Sequence, residues 1–276
     1  MVHLLNKISN AMNINEYTIG IFCDLTKAFD MVPISLLIKK LEKIGIKGTA
    51  LKWFENYLAN RKQFVQIGES KSSLEYVLCG VPQGSILGPI LFLVFFNDLP
   101  KSLILYMLIF CDDTTIIASG KSLSDLVNFV NSELRKISIW FRANMMSLHP
   151  CKTKFTIFHS NEQSIPWEEL NIVIDDNDED CTSPDPSLIK KLAFVNKYSD
   201  TPAIRFLGVY FDPSLSFKYH IEQLNVKLSK ALFNLRRAKN ILSEQSLKSL
   251  YYSTFHCHLI YCILIYSSAC PTSFLW

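Results

Sequence analysis

Apolar residues along this chain follow two rhythms, a spacing of three to four that predicts helices and short continuous or alternating runs that predict strands. Leu4, Leu5 and Ile8 give residues 1–16 an apolar face and predict a helix. Tyr17–Cys23 is a β-rich run that ends at Asp24. Pro33 opens an amphipathic helix through Ile34, Leu37, Ile38 and Leu41, which stops near Gly45. A second helix spans about Thr49 to Ala59 on Leu51, Phe54 and Leu58. Residues 61–67 and 74–78 alternate like a paired β-ribbon around Gly68. A loop rich in glycine and proline, Gly80–Pro89, then leads into a helix over Ile90–Asn97. Further on, apolar residues run up to Asp112-Asp113 and away again through Ile116-Ile117-Ala118, which predicts two strands joined by a tight turn at the Asp pair. Leu123, Leu126, Val127, Val130, Leu134 and Ile137 mark one face of a helix over residues 122–143. Lys152–Phe158 reads as a strand with a basic entrance, and Arg205–Phe211 as another. Between them periodicity fades after Ile174, and residues 161–204 are expected to form a mobile acidic surface insertion. From residue 218 a stripe of Ile221, Leu224, Leu228, Leu232 and Leu235 predicts a helix, and an apolar, aromatic helix follows at about 243–264.

Composition narrows the class. With 276 residues, 49% hydrophobic and 19% charged, the chain is a folded one with ample length for a core, as one large domain or two modest ones. Its net charge of +3 hides an asymmetry: residues 161–188 hold nine acids and no Lys or Arg. The remainder carries 28 basic and 16 acidic residues, a balance of +12 that suits a polyanionic partner. The eight cysteines include no Cys-x-x-Cys pair and no Cys/His zinc spacing, and His256 and His258 flank Cys257 at a spacing that points them apart on a helix. No signal peptide is visible, so a reducing intracellular compartment, cytoplasm or nucleus, is expected. The apolar runs at 86–96 and 259–266 are too short to span a bilayer, so no membrane partner is expected.

Candidate chemistry lies at the Asp pair. Adjacent carboxylates at a hairpin tip repel each other, and a hard divalent cation such as Mg²⁺ offsets that charge. Asp also favours turns for local hydrogen bonds, so the pair alone leaves an ordinary turn open. A further carboxylate, Asp24, stands at the end of a buried strand, where a rigid element can position it. The loop at 80–89, at the start of a helix, lets backbone approach a phosphate closely, although it reads equally as a plain strand-to-helix connection. Two strands side by side could bring Asp24 and Asp112 to shared divalent ions, the arrangement of a two-metal site for in-line displacement at phosphorus. Lys227, Lys230 and Arg237 lie off the apolar stripe of their helix, either as a solvated face or along a nucleic-acid backbone.

Taken in order, three runs resemble the palm motifs of reverse transcriptases: Cys23-Asp24-Leu25-Thr26-Lys27-Ala28-Phe29-Asp30, Val81-Pro82-Gln83-Gly84-Ser85-Ile86-Leu87-Gly88-Pro89 and Phe110-Cys111-Asp112-Asp113-Thr114. Their wording is similar to that of non-LTR, LINE-type retrotransposons of the jockey kind. Residues 144–153 resemble the motif that follows in that family, Arg205-Phe206-Leu207-Gly208-Val209 resembles its primer grip, and Lys230-Ala231-Leu232 and Tyr251-Tyr252-Ser253 resemble its thumb. The resemblance implies an α+β right-hand polymerase palm, a mixed or antiparallel sheet with helices on one face, followed by a helical thumb. Its implied division is a fingers or leader remnant at 1–16, a palm with partial fingers at 17–160, the acidic insertion at 161–204, a primer-grip strand at 205–217 and the thumb at 218–276.

The implied activity is RNA-directed DNA synthesis on an RNA template, from a DNA primer and dNTPs, with two Mg²⁺ ions for which Mn²⁺ could substitute. Asp24, Asp112 and Asp113 would be catalytic, the first two holding metal. Leu25 through its backbone amide, Phe29 as a steric gate against a 2′-hydroxyl, Gln83, Gly84, Lys152 and Lys154 would contact the nucleotide. Phe206, Leu207 and Gly208 would grip the primer. Cys111 replaces the usual Ala before the Asp pair, Val32-Pro33 replaces a common Val-Asp-His run, and the stretch before Phe206 is longer than the family carries. Because the chain starts almost at the first palm strand, basic fingers segments, an endonuclease domain and a terminal Cys/His box are expected to be missing. That truncation leaves a second reading, an inactive transposon remnant that at most binds nucleic acid. An RNA polymerase palm is a third, opposed by the bulk of Phe29 and the Pro-Gln-Gly loop.

Overall fold

A mixed five-stranded sheet lies at the centre of the molecule. The computed structural model describes residues 1–149, 151–160, 165, 170–175 and 186–267; most of the acidic run expected to be mobile lies outside the described residues. The chain opens with α1 (Val2–Asn13) and β1 (Tyr17–Cys23), then α2 (Ile34–Lys43) and α3 (Gly48–Leu58). A ribbon of two-residue strands follows: β2 (Lys62–Gln63), β3 (Gln66–Ile67), β4 (Ser70–Lys71) and β5 (Glu75–Tyr76). Next come α4 (Leu87–Phe96), the hairpin of β6 (Tyr106–Phe110) and β7 (Asp113–Gly120), α5 (Leu123–Ala143) and β8 (Lys154–Phe158). The remaining strands are β9 (Val173–Asp175), β10 (Ile189–Lys191), β11 (Ala193–Phe194), β12 (Ile204–Phe206) and β13 (Val209–Phe211). Helices α6 (Lys218–Ala238), α7 (Glu244–Tyr251), α8 (Cys257–Ile260) and α9 (Ile263–Tyr266) close the described chain.

The sheet runs β11-β8-β1-β7-β6, antiparallel throughout except for the β11–β8 edge pair. In β1 the alternation is read by both faces. Ile19, Ile21 and Cys23 join Ile116, Ala118, Phe155 and Ile157 against Leu91, Phe92 and Phe95 of α4 and Leu126, Val130 and Leu134 of α5. Each Leu, Ile, Val or Phe among them, fully buried, contributes about 1.5–3 kcal/mol. The sequence placed helices on this face; the structure adds cover on the other. There Ile117 and Phe158 meet Leu4 and Ile8 of α1, the β12–β13 pair and Ile221, Leu224 and Leu228 of α6. Gly20 belongs to that second face, and a β-carbon there would lie 2.9 Å from the Phe158 ring. No helix among the described residues is long and apolar enough to cross a membrane.

Five expectations need correction. Residues 204–211 are not one strand but a hairpin, because Leu207 and Gly208 take φ of 46° and 85°, the paired positive values of a tight hairpin turn. The described parts of 160–200 are not all surface: Ile165, Leu170, Ile172, Ile174, Leu192 and Val195 are buried in the main core and β11 extends the sheet, while β10 and Tyr198 are exposed. In α6 the buried stripe passes through Ala231, while Leu232 is exposed. The last helix is broken into α7, a π-helical turn over Tyr252–His256, α8 and α9, with Cys262 at φ 56° between the final two. Helix α4 also begins three residues earlier than expected. The Ser85 hydroxyl accepts from the Gly88 N–H at 2.9 Å and donates to the Pro82 carbonyl at 2.8 Å, and Pro89 fits the first turn, where an N–H has no helical partner.

Candidate active site

β1 ends at Cys23 opposite Thr114 of β7, so Asp24 leaves the sheet beside the turn that carries Asp112 and Asp113. The Asp24 backbone is held on both sides. Its carbonyl accepts from the His149 N–H at 2.8 Å, and its N–H donates to the Thr153 hydroxyl at 3.2 Å. A bridge between Leu25 and Leu148 continues the pairing through the Thr26 N–H and the Ser147 carbonyl, and leaves the Leu25 N–H outside it. At the hairpin tip Cys111 adopts φ 54°, a left-handed conformation that costs a non-glycine residue about 1–2 kcal/mol. Both Asp side chains at that tip are exposed.

The three carboxylates feel one another. Burial, then the charge of Asp112, then that of Asp24 push the Asp113 carboxyl above the ordinary carboxylate range. The Lys152 ammonium lies 3.7 Å from an Asp24 carboxylate oxygen, a contact that solvent screens because both side chains are open to it. Burial pushes the neighbouring Cys23 thiol up to about 12, which keeps it protonated at neutral pH. Among the described residues no three Asp, Glu, His or Cys side chains converge into a ready-made metal group. Three hard oxygen donors in mutual repulsion nevertheless fit a hard divalent cation that completes its shell with water and substrate phosphates.

Two cavities meet at Asp24 and Lys152. The larger, about 520 Å³, is lined by Asp24, Asp112, Phe29, Gln83, Gly84 and Lys152, with Leu25 in its wall. Phe29 is steadied there by stacking on Phe92, with ring centroids 4.7 Å apart. The Gly80–Pro89 loop is pinned to the same turn: Gly80 N–H donates to the Val32 carbonyl and Val81 N–H to that of Phe29, each at 2.8 Å. Only glycine fits at position 80, where φ is 93° and a β-carbon would lie 2.9 Å from the Asp30 backbone. The Gln83 amide donates to the Asp30 carboxylate at 2.8 Å, which orients the side chain across the cavity mouth. The smaller cavity, about 310 Å³, is lined by Asp24, Asp113, Lys152, Lys154, Arg205 and Phe206.

Lys154, expected with Lys152 near the leaving pyrophosphate of the nucleotide, lines the other hollow, because it opens β8 opposite Phe22 and faces the β12–β13 hairpin. Leu207 and Gly208 line neither cavity. The Leu207 carbonyl accepts from the Tyr261 hydroxyl at 2.6 Å, and a β-carbon on Gly208 would lie 3.2 Å from the Tyr261 ring. Lys227, Lys230 and Arg237 are exposed on α6 away from its buried stripe, Arg237 resting 5.7 Å over the Phe233 ring, and none lines either cavity. The sequence reading missed Asp30 as the partner of Gln83 and Thr153 as the anchor of Asp24, and it quoted Arg205 within the primer-grip resemblance without giving it a role. For Arg205 a signal existed, a lone cation in an apolar strand.

A family model described as reverse transcriptase (RNA-dependent DNA polymerase) matches residues 2–211. The chain is similar to the probable RNA-directed DNA polymerase from transposon BS of Drosophila melanogaster, with 26% identity over 268 residues, 93% of this chain and 27% of that protein. It is also similar to the RNA-directed DNA polymerase from mobile element jockey of Drosophila melanogaster, with 25% identity over 229 residues, 80% of this chain and 22% of that protein. The chain thus spans about a quarter of the length of these relatives. Among solved structures, telomerase from Candida albicans in complex with the TWJ fragment of telomeric RNA aligns with a TM-score of 0.43 and 12% identity, over 97% of this chain and 48% of that one.

Proposed function

This chain belongs to the reverse transcriptase family, and we propose that its cleft catalyses RNA-directed DNA synthesis for a mobile element. The observation that carries this reading is the strand register that ends β1 beside the β6–β7 turn, so that Asp24, Asp112 and Asp113 share one end of the sheet next to a cavity walled by Phe29. Reverse transcriptases generally use divalent metal ions. Here Asp24 and Asp112 would hold two Mg²⁺ ions, with Mn²⁺ as a substitute and Asp113 adding charge. When bound, such ions supply Lewis-acid stabilisation of the attacking and leaving oxygens.

The remaining work falls to the chain's own groups. The larger cavity takes the dNTP, with the Gln83 side chain and the Gly84 backbone along the base and sugar. Phe29 fills the space a ribose 2′-hydroxyl would need, and Lys152 offsets charge on the departing pyrophosphate. The primer 3′-hydroxyl gives up its proton to solvent as its oxygen forms a bond to the α-phosphorus, the bond from that phosphorus to the bridging oxygen breaks, and pyrophosphate leaves with its electron pair. RNA template and DNA primer approach along the basic body of the chain.

The test is Mg²⁺-dependent extension of an oligo-dT primer on poly-rA, beside Asp112→Asn. Loss of about 10²–10³-fold in the variant is expected, the cost of removing one charge-stabilising group. A second reading, nucleic-acid binding without catalysis, draws on the exposed Lys227, Lys230 and Arg237 of α6. Folded protein that binds primer–template in a salt-dependent way but extends nothing would establish it instead.

A further inference from the structure

The apolar stripe of α6 outlasts the core that covers it. Ile221, Leu224, Leu228 and Ala231 are buried, but Leu235, the next residue along that face, is only half-buried. No residue of α7 is buried, although Leu247 and Tyr251 stand one turn apart on one side of it. Between these two uncovered faces lies a groove of about 470 Å³ with a mostly apolar wall, lined by Leu235 on one side and by Leu247, Tyr251 and Tyr252 on the other. The two tyrosines reach it where α7 passes into the π-helical turn over Tyr252–His256, a distortion frequent at functional sites. Their rings stand 5.3 Å apart and nearly perpendicular, and Tyr251 is 37% and Tyr252 59% exposed.

The charges on the rim select what covers it. Lys248 and Glu244 pair with each other at 2.7 Å across one turn of α7, so together they add no net charge. Arg236 and Lys239 also line the groove, and neither makes an ion pair or a side-chain hydrogen bond with any described residue. An apolar floor between two helices, flanked by unneutralised cations, fits an amphipathic helix with acidic residues beside its apolar face. A second copy of this chain fits poorly, because two grooves packed together would set both pairs of cations against each other. A nucleic-acid backbone also fits poorly: Lys227, Lys230 and Arg237 lie outside the groove, and its floor presents apolar side chains where phosphates need donors. We propose that this groove docks an acidic amphipathic helix of a partner protein, its apolar face on Leu235, Leu247 and the two tyrosines and its carboxylates against Arg236 and Lys239. Docking there requires no catalysis, so it stands whether or not the chain extends a primer.

The test uses the full chain and three fluorescein-labelled designed helical peptides, with binding read by fluorescence anisotropy. The first carries leucines at i, i+3, i+4 and i+7 and glutamates elsewhere. The second keeps the leucines and replaces glutamate by lysine; the third keeps the glutamates and replaces leucine by serine. The first is expected to bind about tenfold more tightly than either of the others, the worth of a charged contact or of an apolar anchor. Arg236→Glu combined with Lys239→Glu is expected to reverse the order of the acidic and basic peptides, which a merely structural role for those side chains would not produce. Leu247→Ser is expected to weaken the acidic peptide about tenfold with an unchanged urea midpoint, because no residue of α7 is buried. Should Leu247→Ser fail to fold, the charge-reversed variant decides alone. No binding of the acidic peptide, or equal binding of the acidic and basic peptides, overturns the proposal. If Leu247→Ser and the charge reversal weaken binding of oligo-dT annealed to poly-rA but not of the peptide, the groove belongs to nucleic acid and the proposal falls. It falls equally if the chain sediments as a dimer that Leu247→Ser dissociates, because a second copy then fills the groove.

Discussion

Phe29 stacks on Phe92 and still forms a wall of the larger cavity, so one ring is both core and surface. That double placement would keep the ring in place as the proposed gate, since tilting it aside would break its stacking on Phe92. Phe29→Val is expected to raise the use of ribonucleotides relative to deoxynucleotides by about 10–200-fold, the range over which a few methylene-sized changes shift discrimination. Competition between rATP and dATP on a poly-dT or poly-rU template checks this, and an unchanged ratio would remove the gate. At the same scale, Asp24, Phe29 and Gln83 were readable as candidates because their types and order are diagnostic. The Asp30 carboxylate that aims Gln83 was not, because a partner 53 positions away leaves no local trace.

Helix α5 shows how an element positions another through one buried charge. Glu133 is 1% exposed, and its carboxylate accepts from the Ile104 N–H at 3.0 Å and from Leu105 N–H while Lys136 lies beside it. Burial pushes this carboxyl up, but the Lys136 and backbone hydrogen bonds outweigh burial and hold it below its ordinary value. The ionised group thus ties down the segment that enters β6 and so the strand that ends at the Asp pair. Glu133→Ala strands the N–H of the buried Leu105 at about 1–3 kcal/mol, while solvent can take over that of the exposed Ile104. The midpoint of urea unfolding is expected to fall accordingly, and an unshifted midpoint would mean that water replaces the carboxylate. Element types were mostly legible from periodicity, with two instructive failures. The β12–β13 turn falls on Leu207-Gly208, where a leucine in left-handed conformation carries no turn signal. The breaks after α7 were hidden because periodicity registers an apolar face whether or not anything packs on it, and none of the α7 residues is buried.

At the scale of the whole molecule, two cores back onto one sheet, and His220 belongs to the second, 7% exposed between the Tyr210 N–H at 3.4 Å and the Tyr266 ring at 4.9 Å. Burial, then the charge of Lys227, lower its pKa. As pH falls below the ordinary imidazole value the unfolded chain takes up that proton before the folded one does, so this contribution to stability is complete above that value and is lost on acidification. Thermal unfolding followed from pH 7.5 to pH 5.5 is expected to lose less stability in His220→Gln than in the unaltered protein; parallel curves would show that His220 plays no part. By itself the sequence determined the order of strands and helices, the carboxylates at strand ends and the family, because these depend on neighbours within a few positions along the chain. Only the tertiary structure decided that Leu170, Ile172, Ile174, Leu192 and Val195 join the core, that Lys154 lines a hollow with Arg205 and apart from Gln83, and that Tyr261 ties the 207–208 turn. Those outcomes depend on which distant segments compete for the same buried volume, and a one-dimensional pattern records the demand for burial without recording the partner that meets it.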